Sequence, residues 1–190
     1  MKSQITIKKI QDFLIKGFQA MPMDDDTSRR MWWASLEVIQ KDFLSKNYQQ
    51  GGIWVASPLP ALNDKRFFNQ LHGWLWSPEG FPYFQKENAG FLPVNHSGKL
   101  KKDFDFISSY KVLNLSQKDG YEPFVMIITP NFQCILSIVG EKDKKILLMK
   151  CDEESLKISI ELMHMKLNQE YYDEGVKFRD AINNLGNLNF

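Results

Sequence analysis

Residues 124–167 read FVMIITPNFQCILSIVGEKDKKILLMKCDEESLKISIELMHMKL, and the way this stretch folds decides the architecture of the chain. Three apolar runs of strand length are separated by Pro130-Asn131 and by Gly140-Glu141-Lys142-Asp143-Lys144, a spacing that predicts an antiparallel β-meander. A helix follows at once. Asp152 stands at the N-cap position, Glu153 and Glu154 put negative charge in the first turn, and Leu156, Ile160, Met163 and Leu167 recur at helical spacing. Alternation divides the second run into Phe132, Cys134, Leu136 and Ile138 on one face and Gln133, Ile135, Ser137 and Val139 on the other. The first run is apolar on both sides, Phe124, Met126 and Ile128 against Val125 and Ile127, which predicts a central strand covered on both faces. These residues read as core, and none suggests chemistry.

Upstream, Tyr110–Leu115 reads as a strand leading through Asp119-Gly120 and Pro123 into the meander. Between His72 and Phe106 regular periodicity fades, while Trp74, Trp76, Phe81, Tyr83, Phe84 and Phe91 are interleaved with prolines. So aromatic a connection is expected to fold over the sheet, and Trp54, Trp74, Trp76, Phe81, Tyr83 and Phe84 are the residues expected to line a ligand pocket or partner surface. Ile53–Ser57 reads as a short strand after Gly51-Gly52, stopped by Pro58, and Asn63 as the cap of a short helix carrying Phe67 and Leu71. Two helices precede it. One starts between Ser3 and Thr6, carries Ile7, Ile10, Phe13 or Leu14, and Phe18 on one face and stops near Met21-Pro22; the other follows Asp24-Asp25-Asp26-Thr27 with Met31, Trp32, Leu36, Ile39 and Phe43 and ends near Asn47. The aspartates read as a cap, since the other ligands of a calcium loop are missing. At the other end, Tyr171 or Tyr172, Val176, Phe178, Ile182 and Leu185 suit a final helix ended near Gly186.

A chain of 190 residues with 43% hydrophobic content, 14 Phe and 5 Trp can bury a sizeable core. Its formal net charge of +1 steers it to neither nucleic acid nor an acidic membrane. The two cysteines, Cys134 and Cys151, lack the spacing of a zinc site, and no signal peptide or long apolar span is legible, so a reduced, cytoplasmic protein is expected. The three histidines are scattered, no glycine pattern cradles phosphate, and Ser57 has no nucleophile elbow around it. No enzyme, cofactor or metal site is therefore expected. Cys151 is the one candidate redox residue, because a helix N-terminus favours a thiolate.

Four stretches carry a resemblance: LIKGFQAMPMDDDTSRRMWWASLEVIQ (14–40), GIWVASPLPALNDKRF (52–67), WLWSPEGFP (74–82) and YKVLNLSQKDGYEPFVMIITPNFQCILSIVG (110–140). Together they resemble the N-terminal sensory region of cyanobacterial two-component sensor histidine kinases, itself similar to GAF-like modules called DICT domains. The resemblance spans about residues 10–167 and implies an α+β fold with a mostly antiparallel sheet and packed helices. The sensory domain would cover residues 1–168, as a helical pair at 4–47 and an α/β core at 53–168, with 169–190 a C-terminal helix leading to an output domain. It implies a signal-input role, with a small ligand or partner on one side and a kinase core in cis or a partner protein on the other. No phosphoacceptor histidine or ATP lid is legible, so kinase activity is expected only if a kinase core follows in the full-length protein. The alternative is a stand-alone adaptor acting as a homodimer, with Tyr172, Phe178 and Ile182 of the last helix as its contacts.

Overall fold

The computed structural model describes residues 4–47, 50–58, 61–62, 65–68, 70–78 and 110–186. Helix α1 (Ile7–Leu14) is followed by α2 (Asp25–Val38), which runs on through a π-helical turn, Ile39–Leu44, into the short α3 (Ser45–Asn47). Then come β1 (Gly52–Ser57), α4 (Lys65–Phe68), β2 (Leu71–Ser77), β3 (Tyr110–Asn114), β4 (Phe124–Ile128), β5 (Gln133–Glu141) and β6 (Lys144–Lys150). Two helices close the described chain, α5 (Glu153–Glu170) and α6 (Tyr172–Asn184). Asp152 caps α5 and Asp24 caps α2 as the sequence predicts, accepting from Ser155 at 2.9 Å and Thr27 at 2.8 Å, and the cap of α1 falls at the last residue of the expected Ser3–Thr6 range, Thr6 accepting from the Lys9 N–H at 3.1 Å. α1 ends earlier than expected, at Leu14, where the chain turns through Gly17 at φ +74°. The connector then lies along the outer edge of β6, Met23 and Lys145 exchanging backbone hydrogen bonds of 2.8 and 2.9 Å.

The six strands form one sheet in the order β3-β2-β1-β4-β5-β6. The β4-β5-β6 half is the expected antiparallel meander, and β4 also pairs antiparallel with β1. The other half differs from expectation, because β1, β2 and β3 run parallel and the sheet is mixed rather than mostly antiparallel. Parallel neighbours need a crossover between them, and the segment carrying α4 supplies one by packing Ala61, Leu62 and Phe67 onto one face before the chain returns. The segment of Trp74 and Trp76 is also not a covering loop; it is β2 itself, second from the sheet edge.

Both faces are covered. Phe124, Met126, Ile128, Ile135 and Val139 share one core with Ile53, Val55, Trp74 and Trp76 beneath α1, α5 and α6. Val125, Ile127, Cys134, Leu136 and Ile138 share the other with Trp54, Ala56 and Leu75 beneath α2 and α4. α1 and α2 therefore lie on opposite faces of the sheet, and α6 packs Phe178 into the same core as α5. The result is a three-layer α+β arrangement of four longer helices around a six-stranded sheet. Among the described residues no helix is long and apolar enough to cross a membrane.

The β5–β6 hairpin turns at Gly140, whose φ is +110° and where a Cβ would stand 2.2 Å from the Lys144 carbonyl oxygen. Gly140→Ala meets both obstacles and is expected to cost about 3 kcal/mol, against about 1 kcal/mol for Gly17→Ala, which has the positive φ but open space. Urea denaturation of the two variants checks the difference; equal midpoints would contradict it.

Candidate functional site

α5 carries one residue that does not belong on an apolar stripe. Lys166 follows Met163 by three positions and so points into the core, where its side chain has 0% exposure. A buried ammonium must be paired, and Lys166 is: its Nζ lies 2.7 Å from Asp119 Oδ1 and 2.7 Å from Glu170 Oε1. It also stands 5.3 Å from the centre of the Trp76 ring. Asp119 does more than neutralise it. Its Oδ1 accepts the Ile7 N–H at 2.9 Å, satisfying the start of α1, and its Oδ2 accepts from the Ser116 N–H and Oγ at 3.1 and 2.8 Å. Burial pushes the Asp119 carboxyl up, but the hydrogen bonds from Lys166, Ile7 and Ser116 and the charge of Lys166 outweigh it and hold the group below the usual carboxylate range.

The same pattern repeats one turn on. Glu170 Oε2 accepts the Trp76 indole N–H at 3.2 Å, and Glu174 Oε2 accepts the Trp74 indole N–H at 3.0 Å. Between the two glutamates the backbone breaks at Tyr171 (φ −146°, ψ 80°), whose hydroxyl accepts the Asn114 N–H of edge strand β3 at 3.1 Å. Two glutamates flanking a helix break thus grip two tryptophans of one strand. Phe178 completes the attachment, edge-on to Trp74 with ring centres 5.3 Å apart.

Beside this joint lies an open cleft of about 440 Å³ between α6 and the N-terminal ends of β2 and β3. Trp74, Tyr110 and Lys111 line its sheet side, and Glu174, Lys177, Asp180, Ala181 and Asn184 its helix side. Glu174 Oε1 is paired with Lys177 at 2.8 Å. Burial raises the Glu174 carboxyl, yet Lys177, the Trp74 N–H and Lys111 together leave it below its ordinary value.

Of the residues singled out from sequence, Trp74 and Trp76 meet at this joint, while Trp54 faces the opposite core and packs against Tyr110. Phe81, Tyr83 and Phe84 lie outside the described residues. Tyr172 is 71% exposed and Ile182 half-buried, but Phe178 is fully buried and cannot be a surface contact, because it fills the space over Trp74. Cys151 is exposed, and its thiol is pushed up by partial burial and by the Asp152 charge, the reverse of what a helix N-terminus alone predicts. Asp24 and Asp25 are a cap and the partner of Arg29. Among the described residues no group of three or more His, Cys, Asp or Glu side chains is placed to hold a metal ion.

A family model described as a domain of unknown function, DUF8628, matches residues 8–190. No curated protein and no solved structure matches the chain.

Removing one partner of a buried pair strands the other charge, so Lys166→Met is expected to lose about 3–5 kcal/mol, and adding Asp119→Asn to recover part of that loss. Because the folded Asp119 holds its proton less tightly than the unfolded chain does, its contribution is complete above the ordinary value of 3.8 and is lost as the pH falls through the lower folded value. Denaturant titrations at neutral and acid pH check both expectations: Asp119→Asn should lower the neutral-pH stability and flatten the acid dependence.

Proposed function

The chain belongs to the DUF8628 family, and we propose that its work is non-catalytic: a small ligand enters the cleft beside α6, and the α5–α6 pair carries the response onward. The observation that supports this most is the double engagement of Glu174. One of its oxygens holds Lys177 at the cleft wall and the other holds Trp74 of the sheet, so a ligand that rearranges the wall also acts on the attachment of α6. In this reading the chain is a GAF- or DICT-like input module, and its output is received by a histidine kinase core in cis or by a partner protein. The cytoplasm is its expected setting.

A second reading, an adaptor that dimerises through α6, draws on Tyr172 and Val176, which stand one helical turn apart and are both exposed. Hydrogen exchange on the purified chain, measured with and without polar metabolites, separates the two. Slowed or accelerated exchange confined to residues 172–184 on ligand binding is the expected result. A ligand that binds without altering exchange there would overturn the input reading. A concentration-dependent dimer abolished by Tyr172→Arg, with no metabolite bound, would favour the adaptor.

A further inference from the structure

The charges around the cleft are not all spoken for. Glu174 and Lys177 satisfy one another, and the second oxygen of Glu174 is taken by the Trp74 indole. Lys111 on the sheet wall and Asp180 on the helix wall, by contrast, form no ion pair or hydrogen bond among the described residues. Among the described residues, one ammonium and one carboxylate without a direct hydrogen-bonded partner therefore border a shared cavity from opposite elements, Lys111 acting on Glu174 through its charge alone, with the Trp74 and Ala181 side chains contributing apolar surface nearby.

From this we infer that the cleft takes a zwitterionic amino-carboxylate compound of the size of a free amino acid. This rests on the reading that the cleft receives a small ligand, and names its chemistry. A ligand carboxylate would meet Lys111, which acts on Glu174 through its charge but forms no hydrogen bond with it, the contacts of Glu174 running to Lys177 and the Trp74 indole. A ligand ammonium would meet Asp180. A ligand with a single charge leaves one wall unpaired, and its own charge faces a like charge across the cleft, which is how the site would discriminate. The cavity, about 440 Å³, lies in the range of small-molecule sites and holds an amino acid with its bridging waters.

Isothermal titration calorimetry of the full chain against the common L-amino acids, one at a time, tests this. For the tightest binder, the C-terminal amide keeps only the ammonium and the N-acetyl derivative keeps only the carboxylate. Each is expected to bind about tenfold more weakly than the parent. Lys111→Ala should weaken the parent by a similar factor while leaving the amide unaffected, and Asp180→Asn should do the reverse with the N-acetyl derivative. Both residues are exposed, so the variants should keep the fold, which circular dichroism verifies. If no amino acid binds, if the single-charge analogues bind as well as the parent, or if the Lys111→Ala/Asp180→Asn double variant retains full affinity, the inference is overturned. An amino acid that binds but leaves exchange in α6 unchanged would sustain the inference and defeat the input reading. Another class of metabolite that binds and alters α6 would do the opposite.

Discussion

The ammonium of Lys166, shut away from water, is the point on which the arrangement turns. A lysine in such a place must find compensating anions, and the two it finds belong to different parts of the chain. Asp119 stands in the turn before β4 and also holds the first N–H of α1, whereas Glu170 ends α5 and holds the Trp76 indole of β2. Through one charged group the fold joins α1, α5, β2 and the β3–β4 connection. Buried pairs of this kind add little net stability over an apolar packing of the same volume, but they penalise every arrangement in which the partners fail to meet. The Lys166 node therefore acts chiefly to fix where α5 ends and where α6 can begin.

That placement sets the geometry of the candidate site. With α5 ending over Trp76, the break at Tyr171 delivers Glu174 to Trp74 and Phe178 to the adjoining core. The cleft is the space left between α6 and the parallel edge of the sheet, so its helix wall moves only if the tryptophan contacts give way. A wall held by a few polar contacts and one aromatic contact is what the proposed input role would require, a helix position that a bound ligand could change.

Much of the fold was legible because the meander carries its two faces openly: the alternation through Phe132–Val139 and the double apolar lining of Phe124–Ile128 assign the residues to the two cores that are observed. Caps at Asp24 and Asp152 were equally plain, whereas the start of α1 was legible only as the range Ser3–Thr6. β2 was not, because a strand buried on both faces shows no alternation and Gly73 reads as a breaker. The structure gives that glycine a reason. The Trp54 ring of the paired strand occupies the place of a Cβ, which would stand 2.4 Å away. The π-helical turn at Ile39–Leu44 had no signal in composition. As for the site, Lys166, Glu170 and Glu174 were not singled out from sequence, although a lysine beside Met163 and Leu167 on the apolar stripe and two glutamates at 170/174 spacing are the signals that could have found them. Their partners, Asp119, Trp74 and Trp76, lie 47 to 100 positions away, and only the folded sheet brings them together.

If the Lys166 node does join these elements, loosening it must be felt at all of them at once. The most direct measurement is NMR hydrogen exchange of the Ile7 amide and of the Trp74 and Trp76 indole N–H groups, in the native chain and in Lys166→Met under conditions where both remain folded. All three protons are expected to exchange faster in the variant, and together. Acceleration at Ile7 with both indoles unchanged would show that the node serves α1 alone, and would contradict the coupling on which the reading of α6 and its cleft depends.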